Sequence, residues 1–219
     1  MGDEAAGMTS ADAEVGERIG VFGGTFDPPH VGHVVAAVNV RAALALDRVL
    51  MVPAGVPWQK AHLRISPAED RLAMLSAAVD GVDGLEVTTI ELERSGESYT
   101  ADTLDVLARR HPGAQLYLIV GSDIAPTLDT WRRPEALREL ATTVVYERPG
   151  SGGGRPPAGW PATVVAVPQL DVSSTEIRAR VRDGRPIGGL VVPAVDRHIR
   201  SRGLYLDAVP AEVAATGAR

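Results

Sequence analysis

The sequence contains no cysteine, which excludes disulfides, thiolate metal sites and cysteine nucleophiles. It has no apolar run approaching the roughly 18 residues of a membrane-spanning helix. Residues 1–17 are small, polar and acidic where a secretory signal would be basic and then apolar, so a cytoplasmic protein is expected. Basic charge is also short: 22 Lys and Arg stand against 28 Asp and Glu, a formal net charge of -6. Such a surface lacks the counterion-releasing field of a general nucleic-acid or anionic-membrane binder, while a small anion in a locally basic pocket stays allowed. Aromatic residues make up only 4% of the chain, so each of them needs a reason to be there.

What is present is 219 residues, 45% hydrophobic and 23% charged, enough for one domain with a sizeable core. That domain is expected over residues 18–206, between an N-terminal tail (1–17) and a C-terminal tail (207–219). Short apolar, β-branched runs at 18–22, 48–52, 85–92, 115–120, 142–147 and 163–167 alternate with helix-length segments. This alternation predicts a doubly wound α/β fold, a mostly parallel sheet flanked by helices. Ser66-Pro67-Ala68-Glu69 reads as a capping box opening a helix over 67–80. Thr100 reads as the cap of the next helix, and Ser173 or Ser174 as the cap of one that Gly184 ends. Pro193 starts and Gly203 ends a last helix. Residues 148–161, rich in Gly and Pro, read as a surface loop, His62 and His111 as isolated residues, and His198 as a surface residue rather than a ligand. No internal repeat is present.

Residues 20–33, GVFGGTFDPPHVGH, concentrate the chemistry. Gly23 and Gly24 follow an apolar strand and let the backbone turn and approach a ligand. Pro28 and Pro29 hold an extended entry, so a helix can begin only near His30 or Val31. His30 and His33 then share the first helical turn, where unpaired N–H groups and the positive dipole end favour an anion. A plain tight turn needs neither histidine. A metal on the His pair would want a third protein ligand, and none is suitably spaced. Phosphate binding accounts for most of the pattern, although neither G-x-G-x-x-G nor G-x-x-x-x-G-K-[ST] occurs. Ser173, Ser174 and Thr175 at a second helix start, with Arg178 one turn on, read as another anion clamp, or else as an ordinary cap with a surface arginine.

Gly23-Gly24-Thr25-Phe26-Asp27-Pro28-Pro29-His30-Val31-Gly32-His33 resembles the GGTFDPxHxGH motif of the HxGH nucleotidyltransferase superfamily, and within it that of the bacterial nicotinate mononucleotide adenylyltransferases. Residues 172–178 resemble that family's ISSTxIR element, and the likeness extends over roughly residues 18–206. The resemblance implies that Gly23, Gly24, Thr25 and Phe26 shape a loop over ATP, and that His30, His33, Ser173, Ser174, Thr175 and Arg178 bind its phosphates. It implies that His30, His33, Lys60 and Arg178 take part in the chemistry. At 52–60 the family often reads PPHK, and here Trp58-Gln59 replace Pro-His, so only Lys60 carries over. It further implies that Trp131 stacks on the pyridine of nicotinate mononucleotide and that N–H groups near Thr100 and Arg132 hold its carboxylate. Asp123 of G-x-D is implied at a ribose or metal water, and Arg148 of the RPG element at the mononucleotide phosphate.

The implied reaction is adenylyl transfer from ATP to nicotinate mononucleotide, giving deamido-NAD and pyrophosphate in NAD biosynthesis. Mg²⁺ is expected to ride on the triphosphate rather than in a protein-built metal site. The partners expected are these small molecules, with no nucleic acid and no membrane, and a homo-oligomer stays open. The rival readings are a sister adenylyltransferase acting on nicotinamide mononucleotide or phosphopantetheine, and a nucleotide-binding sensor without turnover.

Overall fold

A computed structural model describes residues 16–57, 65–94, 96–148, 150 and 152–206. In chain order it forms β1 (Arg18–Gly24), α1 (Val31–Ala43), β2 (Arg48–Pro53), β3 (Val56–Pro57), α2 (Ala68–Val79), β4 (Leu85–Val87), β5 (Glu97–Ser98) and α3 (Thr100–Arg110). There follow β6 (Gln115–Gly121), a 3-10 turn (Ala125–Thr130), α4 (Pro134–Leu140), β7 (Thr142–Tyr146), β8 (Ala162–Val165), α5 (Ser174–Arg182) and α6 (Pro193–Arg202). Six strands make one sheet in the order β4-β2-β1-β6-β7-β8, every pair parallel, and β3 and β5 form a small separate pair. The expected doubly wound architecture is therefore what the chain adopts. From β1 the chain winds outward through β2 to β4, then crosses to the other side to begin again at β6. The switch point accordingly lies between the carboxyl ends of β1 and β6, where such sheets bind ligands.

Alternation along the strands builds two cores. Ile19, Val21, Leu116, Leu118 and Val120 point to one face and pack with Leu104 and Leu107 of α3 and Leu137 of α4. Phe22, Tyr117, Ile119, Val144 and Tyr146 point to the other and pack with Ala36, Ala37 and Val40 of α1 and Leu75 of α2. A third cluster joins Met74 and Ala78 of α2 to Ile177 of α5 and Val195 and Ile199 of α6. It clamps the last two helices onto the sheet layer. No helix among the described residues is long and apolar enough to cross a membrane.

Several local expectations are corrected. The strand expected over 85–92 stops at Val87, because β4 pairs only with Val49 to Met51 of β2 and the chain then turns through Thr89, with the Leu92 and Glu93 N–H groups donating to its carbonyl. The glycines of the opening motif are not the turn: β1 runs through Gly24, and the left-handed residue is Phe26 at φ 51°. Gly24 is needed for space, since a Cβ there would stand 2.9 Å from the Phe26 ring. The capping box at Ser66 does not form. Pro67 itself occupies the N-cap, and Ser66 spends its backbone elsewhere, donating to Asp27 Oδ2 and accepting from Arg71 Nε. Thr100 is the first residue inside α3, with Tyr99 at the cap.

Other expectations stand. Ser173 caps α5 by accepting from the Glu176 N–H at 3.1 Å, and Gly203 closes α6 at φ 61°. The described part of 148–161 contains no helix or strand, yet its Trp160 is buried and donates to Thr143 Oγ1 at 2.8 Å, which fastens the loop to β7. The expected tails lie outside the described residues except for Gly16 and Glu17, whose carbonyl at Glu17 accepts from Gln115 N–H. His62 also lies outside them. His111 is not isolated, since it meets Arg48 at 3.3 Å, and His198, half-buried, has its Nε2 2.9 Å from Asp70 Oδ1.

Arg71 is the largest fully buried side chain, and its guanidinium donates to three carbonyls, those of Ser66, Thr25 and Gly55. Removing it leaves three part-buried acceptors unpaired. Arg71→Met should lower the unfolding free energy by about 3 kcal/mol or more, read as an earlier urea midpoint with unchanged cooperativity.

Candidate active site

At the switch point a cavity of about 400 Å³ opens between the end of β1, the end of β6, and the first turns of α1 and α5. It gathers nearly every residue singled out from the sequence. Gly23, Gly24, Thr25, Phe26, His30 and His33 form one wall, and Ser173, Ser174, Thr175 and Arg178 face them. Thr100, Asp123, Trp131 and Arg148 line the remainder. Lys60 and Trp58-Gln59 lie outside the described residues. Arg132 does not line the cavity. Its guanidinium sits 4.4 Å from the centre of the Tyr99 ring, which leaves only its backbone near Trp131. A shallower depression beside the carboxyl end of α2, lined by Asp80, Asp83 and Val87, contains none of the predicted side chains.

His30 is the N-cap of α1 and His33 its third residue, and the two rings stack with centroids 3.7 Å apart. The His30 N–H donates to Nδ1 of His33 at 3.1 Å, while the His33 N–H donates to the His30 carbonyl at 3.0 Å. With Nδ1 occupied as an acceptor, a neutral His33 carries its proton on Nε2. Phe22 and Phe26 meet the His33 ring edge-on, at 6.2 and 5.0 Å between centroids, and fix its plane. Gly32 lies between the histidines for a steric reason: a Cβ there would come within 3.0 Å of both His30 Nδ1 and Val172. The spacing H-x-G-H is thus what allows the first ring to fold back over its own helix.

His30 is only 5% exposed, and its Nδ1 is buried with no hydrogen-bond partner among the described residues. Burial first, and the nearby positive charge of Arg148 second, lower its pKa from 6.5 to about 4. The site therefore holds a neutral imidazole at the positive end of α1.

The two walls are joined directly. Ser174 Oγ donates to the Pro28 carbonyl at 2.8 Å, and Arg178 Nη1 donates to the Asp27 carbonyl at 2.8 Å. Arg178 was expected as an anion clamp; it lines the cavity and also acts as a bracket on the opening turn, with Nη2 donating to Thr175 Oγ1 at 3.2 Å. Two helix N-termini are thereby held on one anion-sized space.

On the far side, Asp123 and Arg148, expected at separate ligand groups, form an ion pair with each other at 2.8 Å. Trp131 ends the 3-10 turn, its indole N–H donating to Thr127 Oγ1 at 3.3 Å, with its ring against the cavity. Sequence reasoning missed several lining residues, among them Glu91, Thr103 and Tyr146. Glu91 and Thr103 are buried, and the Thr103 hydroxyl donates to Glu91 Oε1 at 2.6 Å. Glu91 was hidden inside the supposed long strand. Tyr146, at the end of β7, stacks edge-on to Phe22, and burial pushes its phenol up to about 12; its position as the last apolar residue before Glu147-Arg148 was the available signal. Among the described residues no three His, Asp or Glu side chains come together in a way that could hold a metal ion.

The depressed pKa of His30 has a stability consequence. Above pH 6.5 neither state binds the proton; as pH falls from 6.5 toward 4 the unfolded chain binds it first, so stability is lost across that window. The full loss corresponds to about 3 kcal/mol. His30→Asn should flatten the fall of unfolding free energy between pH 6.5 and 4 measured by denaturant titration, and equal slopes for both proteins would contradict the buried neutral ring.

Comparisons with known proteins bear on the family and the fold. The pattern of the cytidylyltransferase-like family matches residues 21–180. A protein of Gemmatimonas aurantiaca named "Probable nicotinate-nucleotide adenylyltransferase" is 44% identical over 196 residues, covering 86% of this chain and 92% of that protein. A protein of the same name from Corynebacterium kroppenstedtii is 44% identical over 192 residues, covering 86% and 91%. In three dimensions the chain is similar to Plasmodium falciparum nicotinic acid mononucleotide adenylyltransferase complexed with NaAD, with a TM-score of 0.71 at 20% identity over 86% of this chain and 97% of that one. The chain belongs to the cytidylyltransferase-like family and, within it, to the nicotinate-nucleotide adenylyltransferases.

Proposed function

We propose that the protein transfers the adenylyl group of ATP to nicotinate mononucleotide, forming deamido-NAD and pyrophosphate. The observation that carries this reading is the pair of helix N-termini, of α1 and α5, held on one cavity by Ser174 and Arg178 with the His30–His33 pair between them. Two dipole ends and hydroxyl donors suit a polyphosphate. In the reaction a phosphate oxygen of the mononucleotide attacks the α-phosphorus in line, and the bond from that phosphorus to the bridging oxygen breaks, so the electron pair leaves with pyrophosphate. No proton transfer and no covalent enzyme intermediate are needed. The protein acts by alignment and by stabilising charge on the α-phosphoryl oxygens, through the Nε2–H of His33 and through His30.

Mg²⁺ would enter with the triphosphate as part of the substrate. The described residues include no cluster that could hold it alone, and the oxygen-rich phosphate chain is the ligand set this ion prefers. No step above is routed through it. Lys60 is the sole lysine of the sequence and would hold a β- or γ-phosphate as a point charge. On the acceptor side, Trp131 stacks on the pyridine, and backbone N–H groups near Thr100 and Arg132 hold the carboxylate, a donor set that rejects an amide NH₂. Arg148, paired with Asp123, would meet the mononucleotide phosphate.

Pyrophosphate release from ATP, compared with nicotinate mononucleotide, nicotinamide mononucleotide and phosphopantetheine as acceptors, tests the reading. The first should be strongly preferred, and preference for either other acceptor would overturn it. His33→Ala should lower kcat by roughly 100-fold or more, and near-normal turnover would remove its assigned role. Trp131→Ala should weaken mononucleotide binding while ATP binding stays close to wild type; equal losses for both ligands would count against stacking.

A further inference from the structure

The turn that carries His30 is tied to a residue 178 positions away that takes no part in lining the cavity. Tyr205 donates its hydroxyl to Asp27 Oδ1 at 2.6 Å, while Asp27 Oδ2 accepts from the Ser66 N–H at 3.1 Å. Asp27 is only 4% exposed, so its carboxylate is satisfied from within the protein. The Asp27 main chain is held separately, its carbonyl taken by Arg178 and that of Pro28 by Ser174. Among the described residues the phenol is the only side chain hydrogen-bonded to the Asp27 carboxylate.

Tyr205 is itself held deliberately. Among the described residues it is one of four non-glycine residues with positive φ, at 66°, a conformation that persists only where surroundings enforce it. The enforcement comes from α6. Leu204 N–H returns to the Ile199 carbonyl at 3.0 Å across the left-handed Gly203, which turns the chain back toward the sheet. Asp70 of α2 anchors α6 by meeting both His198 and Arg202 at 2.9 Å, and Val195 and Ile199 pack on Met74 and Ala78. Burial and the adjacent Asp27 carboxylate raise the phenol's pKa far above its ordinary value, so it remains a donor throughout the working pH range.

We propose that Tyr205 is a positioning residue for adenylyl transfer: through Asp27 it orients the turn between β1 and α1 and so sets where His30 and His33 meet the α-phosphate. This rests on the function proposed above. The histidines follow Asp27 by three and six residues, whereas Thr100 and Trp131 come from α3 and from the end of the 3-10 turn and are not hydrogen-bonded to the Asp27 carboxylate, whose partners are Ser66 and Tyr205. Losing the phenol hydroxyl should therefore disturb the phosphate side and leave the nicotinate side intact. A misplacement well below 1 Å suffices for a measurable loss of rate.

The test uses Tyr205→Phe in the full chain, with ATP titration by calorimetry counting binding-competent sites so that kcat is expressed per site. The expected result is a fall in kcat of about tenfold with KM for nicotinate mononucleotide within about twofold of wild type. The ring resonances of His30 and His33 should shift, and the indole N–H signal of Trp131 should not. Placing Tyr205→Phe on Asp27→Asn should cost little beyond Asp27→Asn alone, because the two act as one unit. Unchanged kcat per site, unmoved histidine signals, or fully additive losses would each overturn the proposal. If wild type itself gives no product from ATP and nicotinate mononucleotide, the functional reading fails instead, and the histidine shifts still decide whether Tyr205 positions the turn.

Discussion

The constraint on which the site depends is the buried turn after β1. Residues 25–29 contain two prolines that can donate nothing, a buried carboxylate, and carbonyls at Thr25, Asp27 and Pro28 that no ladder or helix can use. Left unpaired, each would cost a desolvation penalty comparable to a lost hydrogen bond. The chain answers them from three places: Arg71 of α2 takes Thr25, Arg178 and Ser174 of α5 take Asp27 and Pro28, and Tyr205 beyond α6 takes the carboxylate. A demand for polar satisfaction at one turn thus brings the carboxyl-terminal third of the chain onto the switch point. The second anion-binding helix start arrives there for the same reason.

Electrostatically the site is prepared for charge that it does not itself supply. His30 is kept neutral by burial and by Arg148, and Arg148 is in turn paired with Asp123. Positive potential resides mainly in fixed dipole ends and in arginines already bracketed by protein partners. An entering triphosphate meets donors whose positions are set beforehand, which is the arrangement that favours a charge-spread phosphoryl transition state without reorganisation. The unsatisfied His30 Nδ1 is the one buried polar atom of this wall left without a partner.

Much of this was legible in the sequence because it is local. Alternating β-branched runs marked five of the six long-sheet strands closely, and Gly184, Pro193, Gly203 and Ser173 acted as the residue types predict. The histidine pair was placed correctly because two prolines leave only one place for α1 to start. The misreadings share another cause. Ser66 and Thr100 are good caps by type, yet Ser66 turns its backbone to Asp27 and Arg71, and Thr100 enters the helix so that its side chain faces the cavity. The run after Val87 has strand composition, but the sheet edge offers β2 partners for only three residues, so Ile90 folds into the core and Glu91 into the cavity wall.

By itself the sequence determined the order of strands and helices, the two helix starts rich in phosphate donors, and the residue types from which adenylyl transfer could be built. These follow from periodicity, proline and glycine stereochemistry, and capping, all of which act within a few residues. Only the tertiary structure decided that His30 is buried and neutral, that Arg178 clasps the turn as well as facing the cavity, that Asp123 pairs with Arg148, and that Asp70, His198 and Tyr205 belong to the support of the site. Burial and hydrogen-bond partnership are set by segments more than a hundred residues apart meeting at one point, and no local pattern specifies which of many arginines, aspartates or tyrosines will arrive there.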